Sequence, residues 1–358
     1  MTVTMKDIAK LAGVSQQAVS AALNRNGTSK VSTALRCRIQ DIAAELNYAP
    51  NSAARRLKGC ATKTIGIHGV PYVSVLMQSF FLDLSLLFYQ HGYNLLSCYG
   101  IDEQASRRAA NELVAKGVDG IIFTAGSIED LDGKNVPFVF SPPVPAPGFD
   151  VTVDLAQGCR LAVEHLHRHG RRRIGFAGIG TANASANREK IRGMREALAK
   201  CGLPAIETAL FSFGDYDNEP DAIVRHLREL SLEAVCCAND YIAAKLTGVL
   251  LRAGFRVPDD IAIVGYDGLT MCDFCSVPLA TVIQPIRRQA ELTVDLMLQR
   301  INEKNRPFQP ARIAVPPRFY PSISCGCSGC QLDRLPLYET HATLEQQQNI
   351  GNTPCKFS

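Results

Sequence analysis

The sequence contains no tryptophan among its 358 residues and no uninterrupted apolar run long enough to cross a bilayer. A transmembrane helix needs about 20 consecutive apolar residues, so we expect no membrane partner. The first ten residues also lack an apolar segment behind a basic start, and we therefore expect a cytoplasmic protein without a signal peptide. The 13 cysteines are then expected to be reduced thiols, most of them small core side chains.

Charge is distributed unevenly along the chain, although the net charge is only +4. Residues 1–63 carry ten lysines and arginines against three acidic residues, which leaves a net charge of −3 for the remainder. A basic N-terminal segment on a mildly acidic body indicates a polyanionic partner for that segment. The length also exceeds that of one compact core and predicts two or three folding units.

Residues 4–24 have the pattern of two short helices joined by a tight turn. Thr4 and Asp7 have the spacing of a capping box, Gly13 suits a left-handed helix end, and Ser15 caps a second helix from residue 16 to about residue 24. One side of that helix is apolar, and the other side carries Gln16, Gln17, Ser20 and Ala21. This pattern predicts a helix-turn-helix whose second helix enters the DNA major groove, although an ordinary helical hairpin has the same pattern.

A third helix follows Ser32 and completes a DNA-binding domain over residues 1–49. Residues 50–62 are predicted to form a short helix and linker, in which Asn51 caps a basic segment of about two turns. A segment so short is marginal in isolation, so we expect it to form against DNA or a partner. A solvated linker helix is the alternative interpretation.

Strands and helices alternate from Thr64 onwards, which predicts doubly wound parallel sheets. The predicted strands are 64–70, 93–98, 120–124, 136–140, 173–177, 209–213, 234–238, 261–265 and 313–315. The predicted helices are 76–91, 103–116, 154–169, 188–201, 221–230, 240–253 and 289–301. The length suits two such subdomains side by side. A ligand would bind between them at the carboxyl ends of the strands, and residues 326–358 would be a disordered tail.

Several stretches occur in the order typical of one bacterial family. The N-terminal stretch contains KDIAKLAGVSxxAVSxxLN, then VSxALRxxIxxxAxELNYxPN, and then AxxL, which spans Ala54 to Leu57. The core contains HGYNLL, VDGII, RLAVEHL, RRIGFAG, IRGMREAL, ANDxxA, VPDDIAIVGYD and PLATVIQP. On these motifs the chain resembles the LacI/GalR family of bacterial transcription regulators over about residues 4–325. The resemblance implies an N-terminal helix-turn-helix domain and an α/β core over 63–325 like that of periplasmic binding proteins. The core would have two subdomains, about 63–157 plus 285–315 and about 158–284 plus 316–325.

The resemblance also implies a homodimeric repressor that binds a near-palindromic operator and responds to a small-molecule effector, without a cofactor or catalytic activity. The family's phosphate contacts match Ser15, Ser20, Asn24 and Asn51, and its base-reading positions match Gln16, Gln17 and Ala21. Ala54 and Leu57 match the hinge segment, in which Leu57 would enter a minor-groove step and kink the DNA. Relatives often carry arginine at the position of Ala21, so we expect no guanine contact there. The alternatives are a constitutive DNA-binding regulator whose core only dimerises, and a solute-binding protein.

The same resemblance implies a site for a small-molecule effector, for which a sugar and a nucleoside are the two candidates. Its contact positions match Gln157, Lys190, Tyr216, Asn239 and Asp267, with Lys190 at the position of the family's arginine. Asn239 also has the position of a helix N-cap, and one residue can serve both roles. The family's Asn-Pro-Phe-Phe is replaced by residues 74–77, which leaves the effector open.

Other chemistry-bearing residues are expected to have structural roles. His165, His167 and His169 are spaced two apart on a predicted helix, so we expect them to splay over different faces and to lie at a solvated helix end. No catalytic or metal site is expected. The alternative for the cysteines is a zinc or redox cluster, if the loops that carry them meet; these are Cys272, Cys275, Cys325, Cys327 and Cys330.

Overall fold

A computed structural model describes residues 3–23, 31–46, 48, 61–69, 74–131, 133, 135–179, 185–206, 209–211, 218–303 and 309–327. The chain divides into two compact units, one ending at Thr62 and the other beginning at Lys63. Each unit is described by itself below. No helix among the described residues is both long and apolar enough to span a bilayer.

The N-terminal unit contains three helices among its described residues: α1 Met5–Ala12, α2 Gln16–Leu23 and α3 Thr33–Glu45. Local sequence signals fix their ends. Asp7 Oδ2 accepts hydrogen bonds from the Thr4 backbone N–H (2.9 Å) and from Thr4 Oγ1 (2.7 Å), and Gly13 ends α1 at a φ of 68°. The buried Ile8, Val19 and Ile39 bring one side chain from each helix into a shared apolar cluster. This confirms the predicted three-helix fold.

The second unit is built on parallel sheets. Its strands are β1 Thr64–Gly69, β2 Asn94–Tyr99, β3 Gly120–Phe123, β4 Phe138–Phe140, β5 Val151–Val153, β6 Ile174–Ile179, β7 Ala209–Phe211, β8 Ala234–Cys237, β9 Ala262–Asp267, β10 Ala280–Ile283, β11 Ile313–Val315 and β12 Arg318–Tyr320. A four-stranded sheet has the order β2-β1-β3-β4, and a six-stranded sheet has the order β12-β10-β9-β8-β6-β7. Only β12 runs antiparallel to its neighbour among these pairings. β5 and β11 form a separate parallel pair.

Helices alternate with these strands: α4 Val75–Gln90, α5 Glu103–Lys116, α6 Leu155–Arg168, α7 Ser185–Lys200, α8 Pro220–Glu229, α9 Asp240–Arg252 and α10 Ile286–Asn302. The predicted architecture of two doubly wound sheets is confirmed. Three strands were missed, namely β5, β10 and β12, and α10 begins at Ile286 rather than at Gln289. These strands have three or four residues, and since equally short strands such as β4 and β11 were predicted, length alone does not separate them; a strand this short is defined mainly by its pairing partners.

A buried ion pair joins α10 to the segments between strands. The Arg300 guanidinium donates two hydrogen bonds to Asp150, from Nη1 to Oδ2 at 2.7 Å and from Nη2 to Oδ1 at 2.6 Å. Asp150 is fully buried and also accepts the backbone N–H groups of Phe140 (2.9 Å) and Ala311 (2.8 Å). The carboxylate is thereby satisfied on both oxygens, which is the condition under which a buried charge is tolerated.

Candidate functional site

The second helix of the N-terminal unit has an apolar side in the core and a polar side in solvent. Val19 and Ala22 are buried, whereas Gln16, Gln17 and Ser20 are exposed. Ala21 is half-buried, and the exposed Ser15 accepts a 3.2 Å hydrogen bond at Oγ from the Ala18 backbone N–H. This cap satisfies one of the free amides at the start of α2. The other DNA contacts predicted from the sequence lie outside the described residues: Asn24, Asn51, Ala54 and Leu57.

Basic side chains accompany this polar helix face. Lys6, Lys10 and Arg38 are exposed on the neighbouring helices, and Arg36 is half-buried. Exposed ammonium and guanidinium groups bind DNA phosphates without regard to sequence, whereas amide side chains contact base edges. The unit therefore presents both kinds of group that a DNA reader needs.

In the second unit, three polar side chains lie at the carboxyl ends of neighbouring parallel strands. Asn239 follows β8, Asp267 ends β9, and Gln284 follows β10. Gln284 Nε2 donates a 2.8 Å hydrogen bond to Oδ1 of Asp267. Ligands of doubly wound proteins bind at this edge of the sheet. Gln284 was missed from the sequence because β10 was not recognised, and the order of strands is what brings it beside Asp267.

Lys190 reaches the same edge from α7. Its buried ammonium donates a short hydrogen bond to the backbone oxygen of Ala238 and lies 3.9 Å from the ring centroid of Tyr266. The close packing of α7 on α6 depends on Gly193, since a Cβ there would clash with the backbone oxygen of Ala156. One turn before this contact, the helix directs Lys190 onto the aromatic face, where a cation is favoured.

Two carboxyl groups near this lysine are held in an environment that disfavours their charge. Burial raises the pKa of Asp240, and the neighbouring Asp267 raises it further. Asp240 accepts hydrogen bonds from Thr281 Oγ1 (2.6 Å) and from the Leu269 backbone N–H (2.7 Å). Burial also raises the pKa of Asp267, although Lys190 and Gln284 act in the opposite direction. A φ of 123° at Asp267 is unusual for a residue other than glycine, and such strain clusters at functional sites.

Two of the remaining predicted effector contacts, Asn239 and Gln157, lie at helix starts. Asn239 is the N-cap of α9, since its Oδ1 accepts a 2.9 Å hydrogen bond from the Ile242 backbone N–H. Its amide nitrogen has no protein partner among the described residues, so the cap leaves that donor for a ligand. Gln157 lies half-buried in the first turn of α6, which is capped by Asp154. Tyr216 lies outside the described residues.

A second polar group lies at the carboxyl ends of β1 and β3. The buried His68 and Asp130 are bridged by Ser106, whose Oγ lies 3.1 Å from His68 Nε2 and donates a 2.8 Å hydrogen bond to Asp130 Oδ2. In a nucleophilic triad the histidine lies between the serine and the acid, whereas here the serine lies between the other two. The group therefore lacks the order of a catalytic triad. An adjacent pocket of about 310 Å³ shares no lining residue with the Asp267 group.

The two cysteine segments do not combine into one thiol cluster in the part of the core that is described. Cys272 is buried in one apolar cluster with Cys275 packed against it, whereas Cys325 is buried in another. Cys330 lies outside the described residues.

The expectation that three histidines splay over different faces is wrong for two of them, because the rings of His165 and His169 are 4.4 Å apart. They are four residues apart and so share one helix face.

His165 is also not at a solvated helix end. Its side chain is buried, and burial together with the charge of His169 lowers the pKa of His165 to about 4, so its imidazole is neutral at physiological pH. His167 alone turns away, with Nδ1 lying 3.1 Å from Arg172 Nη1. The spacing of His165 and His169 could have predicted their contact, but the burial of His165 depends on the C-terminal segment, whereas His169 is exposed.

Two sequence profiles match the chain. The profile of bacterial regulatory proteins of the lacI family matches residues 4–51, and that of the periplasmic binding protein-like domain matches residues 163–325. The HTH-type transcriptional repressor PurR of Photobacterium profundum is 30% identical over 315 residues, which cover 84% of this chain and 93% of the relative. The ribose operon repressor of Escherichia coli (strain K12) is 31% identical over 331 residues, which cover 88% and 97%.

Solved structures agree with these profiles. The Lac repressor dimer bound to operator and the anti-inducer ONPF superposes with a TM-score of 0.77 at 24% identity, covering 91% of this chain and 99% of that chain. The complex of the transcriptional regulator CelR with cellobiose superposes with a TM-score of 0.63 at 26% identity, covering 90% and 99%. The N-terminal helices, the two-sheet core and these near full-length similarities together show that the chain belongs to the LacI family of bacterial regulatory proteins and is a DNA-binding transcription regulator.

Proposed function

We propose that the protein is a cytoplasmic, non-catalytic repressor that binds a near-palindromic operator as a homodimer and is switched by a small hydroxylated effector. The observation that carries this proposal is the exposed polar side of α2, with Gln16 and Gln17 at its start, within a basic unit. The proposed organisation is a DNA-binding domain over 1–49, a hinge over 50–62, and a core over 63–325 with a tail over 326–358. The core divides into the two subdomains about 63–157 plus 285–315 and about 158–284 plus 316–325.

Base recognition is assigned to three positions of α2. A glutamine side chain can pair with adenine through two hydrogen bonds in the major groove, so Gln16 and Gln17 favour adenine. Ala21 is half-buried and offers only a methyl group, which suits a thymine methyl and excludes a polar guanine contact. Phosphate contacts by Ser15, Ser20, Asn24 and Asn51 would set the register of the helix on the duplex.

The hinge is assigned to the segment with Ala54 and Leu57. An apolar side chain inserted between base steps unstacks them and bends the DNA, which adds specificity through deformability. Leu57→Ala should therefore weaken binding to the operator while leaving salt-dependent binding to random DNA nearly unchanged. Ala53→Ser in the same segment is the matched control. Equal losses on operator and random DNA would refute the role assigned to Leu57.

Homodimer formation is supported by an apolar stripe on α4. Val75, Leu82 and Tyr89 are seven residues apart and are exposed by 41%, 50% and 75%. Residues at this interval lie along one side of a helix, and exposed apolar stripes of this kind mark protein interfaces. Leu82→Glu should convert the dimer to a monomer in sedimentation analysis. An unchanged sedimentation coefficient would show that the dimer interface does not depend on this face of α4.

The effector site is assigned to Gln157, Lys190, Tyr216, Asn239 and Asp267, with Gln284 added from the structure. The described members offer amide donors, an ammonium group and a carboxylate, which together suit the hydroxyls of a sugar or nucleoside. Two similar proteins point to the same chemistry by name: the ribose operon repressor, and a LacI-family regulator of Enterococcus faecium whose structure contains bound ribose.

A thermal-shift screen of sugars and nucleosides on the purified protein tests the switch. A ligand that binds the folded protein raises its unfolding temperature in proportion to the logarithm of its concentration over Kd. The proposal expects at least one stabilising compound that also changes operator affinity. A wholly silent panel would favour the alternative, a constitutive DNA-binding regulator whose core only dimerises.

A further inference from the structure

The end of α6 and the segment after β12 bring four metal-ligating side chains together away from the proposed effector site. His165 and His169 lie one turn apart on the same side of the helix end, and Cys325 and Cys327 lie on the turn that faces them. Ligand atoms of His165, His169 and Cys327 all lie within 4.8 Å of one another, and no other group of three such side chains does so among the residues described.

Two of the separations match the nitrogen–sulfur edge of a tetrahedral zinc site. With Zn–N and Zn–S bonds of about 2.0 and 2.3 Å at tetrahedral angles, a nitrogen and a sulfur ligand are about 3.5 Å apart. Cys327 Sγ lies 3.6 Å from His165 Nε2 and 3.5 Å from His169 Nε2. The Cys327 thiol thus lies at ligand distance from both imidazoles. A thiol that only donated an S–H···N hydrogen bond would need just one imidazole at this distance.

Surrounding groups hold these ligands in place. The ring of Phe319 packs against that of His165 with centroids 4.3 Å apart. The fully buried Cys325 places Sγ 3.2 Å from His165 Nε2 and hydrogen-bonds to the Ser322 backbone oxygen at 3.0 Å. Gly326 then turns the chain at a φ of 94°, a conformation that suits glycine and returns Cys327 to the two histidines. Metal sites need this kind of support because the ligands must be positioned before the ion arrives.

We propose that His165, His169 and Cys327 bind a divalent zinc-class cation, with Cys325 or a water molecule as the fourth ligand. Mixed imidazole and thiolate ligands select zinc and similar ions over magnesium and calcium. Binding replaces the Cys327 thiol proton, and also the Cys325 thiol proton where Cys325 is the fourth ligand; these protons are released to solvent, and the oxidation state of every group is unchanged. The bound ion would fasten the C-terminal segment of the core to α6, which adds binding free energy to the stability of the core.

Cobalt titration of the chelator-stripped, full-length protein tests the site, because thiolate coordination to Co²⁺ gives a charge-transfer absorption that zinc then displaces. The wild-type protein should bind one equivalent and unfold at a higher temperature when zinc is present. Cys327→Ser should abolish the charge-transfer band and the zinc-dependent stabilisation, and His169→Asn should weaken cobalt binding at least tenfold. Operator binding by both variants shows that they remain folded.

Two substitutions serve as matched controls. His167→Asn changes the histidine that turns away on the same helix, and Cys37→Ser changes an exposed thiol of the N-terminal unit. Both should bind cobalt as the wild type does. The proposal is overturned if the wild type binds no stoichiometric cobalt, or if bound cobalt survives both Cys327→Ser and His169→Asn, since the ion would then be held elsewhere in the chain.

Discussion

The Gln284 amide donates a 2.8 Å hydrogen bond to Oδ1 of Asp267, and this contact ties together the carboxyl ends of two adjacent strands. The second carboxylate oxygen of Asp267 has no hydrogen-bond partner among the described residues. Lys190 acts on the same carboxyl group through its charge. A ligand hydroxyl at this position would meet an acceptor whose orientation is already fixed, which reduces the entropy lost on binding.

Asp267→Asn should remove a pH-dependent contribution to the stability of the core. Burial raises the pKa of Asp267 to about 6, so the folded protein holds this proton more tightly than the unfolded chain does. The corresponding stability is complete below the unfolded carboxyl pKa of about 4 and is lost as the pH rises through the folded pKa. Relative to wild type, the free energy of unfolding of Asp267→Asn should therefore rise between pH 4 and pH 7 by about 2–3 kcal/mol.

Urea denaturation across this pH range measures the difference between the two proteins. Asp295→Asn, at an exposed carboxylate of α10, is the matched control for the change of an aspartate to asparagine. A difference between Asp267→Asn and the wild type that does not vary with pH would show that Asp267 carries no raised pKa in solution.

Substitutions at Asn239 should separate its capping role from its proposed ligand role. Asn239→Ala removes the cap and should cost about 1 kcal/mol of stability, whereas Asn239→Ser retains a capping oxygen and should cost little. Both variants lose the amide donor, so both should weaken effector binding by a similar factor. Calorimetric titration with the effector found in the screen measures this, and Asp102→Ala, at the N-cap of α5, controls for cap loss alone. If Asn239→Ser binds the effector with wild-type affinity, Asn239 has only the capping role.

Arg300→Met should destabilise the core by about 3–5 kcal/mol, because it leaves the fully buried Asp150 without its charged partner. The change should appear as a lower urea midpoint with an unchanged slope. Arg288→Met removes an exposed pair with Glu291 and should cost less than about 1 kcal/mol. A similarly small loss for Arg300→Met would mean that the Asp150 site admits water or a substitute partner.

The sequence predicts the N-terminal unit well because its signals are local. Capping residues such as Thr4 and Ser32 and a left-handed Gly13 fix the helix ends within a few residues. In the core, helix and strand periodicity was sufficient for the parallel sheets and their alternation with helices. Three short strands, β5, β10 and β12, were missed although others of the same length were predicted, since a strand of three or four residues is specified mainly by its neighbours in the sheet.

The candidate sites were predicted only where family motifs mark single positions. Gln284 and the buried Asp240 lie beside Asp267 because of the order of the strands in the sheet, and no local sequence pattern encodes that order. The contact between His165 and Cys325 joins residues 160 positions apart in the chain. Long-range contacts of this kind arise from packing, so spacing along the sequence did not predict that these histidines and cysteines lie together.

The most direct test of the account is selection of genomic DNA fragments by the purified protein, compared with a Gln16→Ala, Gln17→Ala double variant. The wild type should enrich a near-palindromic site, and the double variant should lose about 10-fold or more of its preference for that site, since each paired base contact contributes about 1–3 kcal/mol of discrimination. Gln40→Ala, an exposed glutamine on α3, should behave as the wild type does. Enrichment of the same site to the same extent by the double variant, or no enrichment by the wild type, would contradict the assignment of α2 as the helix that reads the operator.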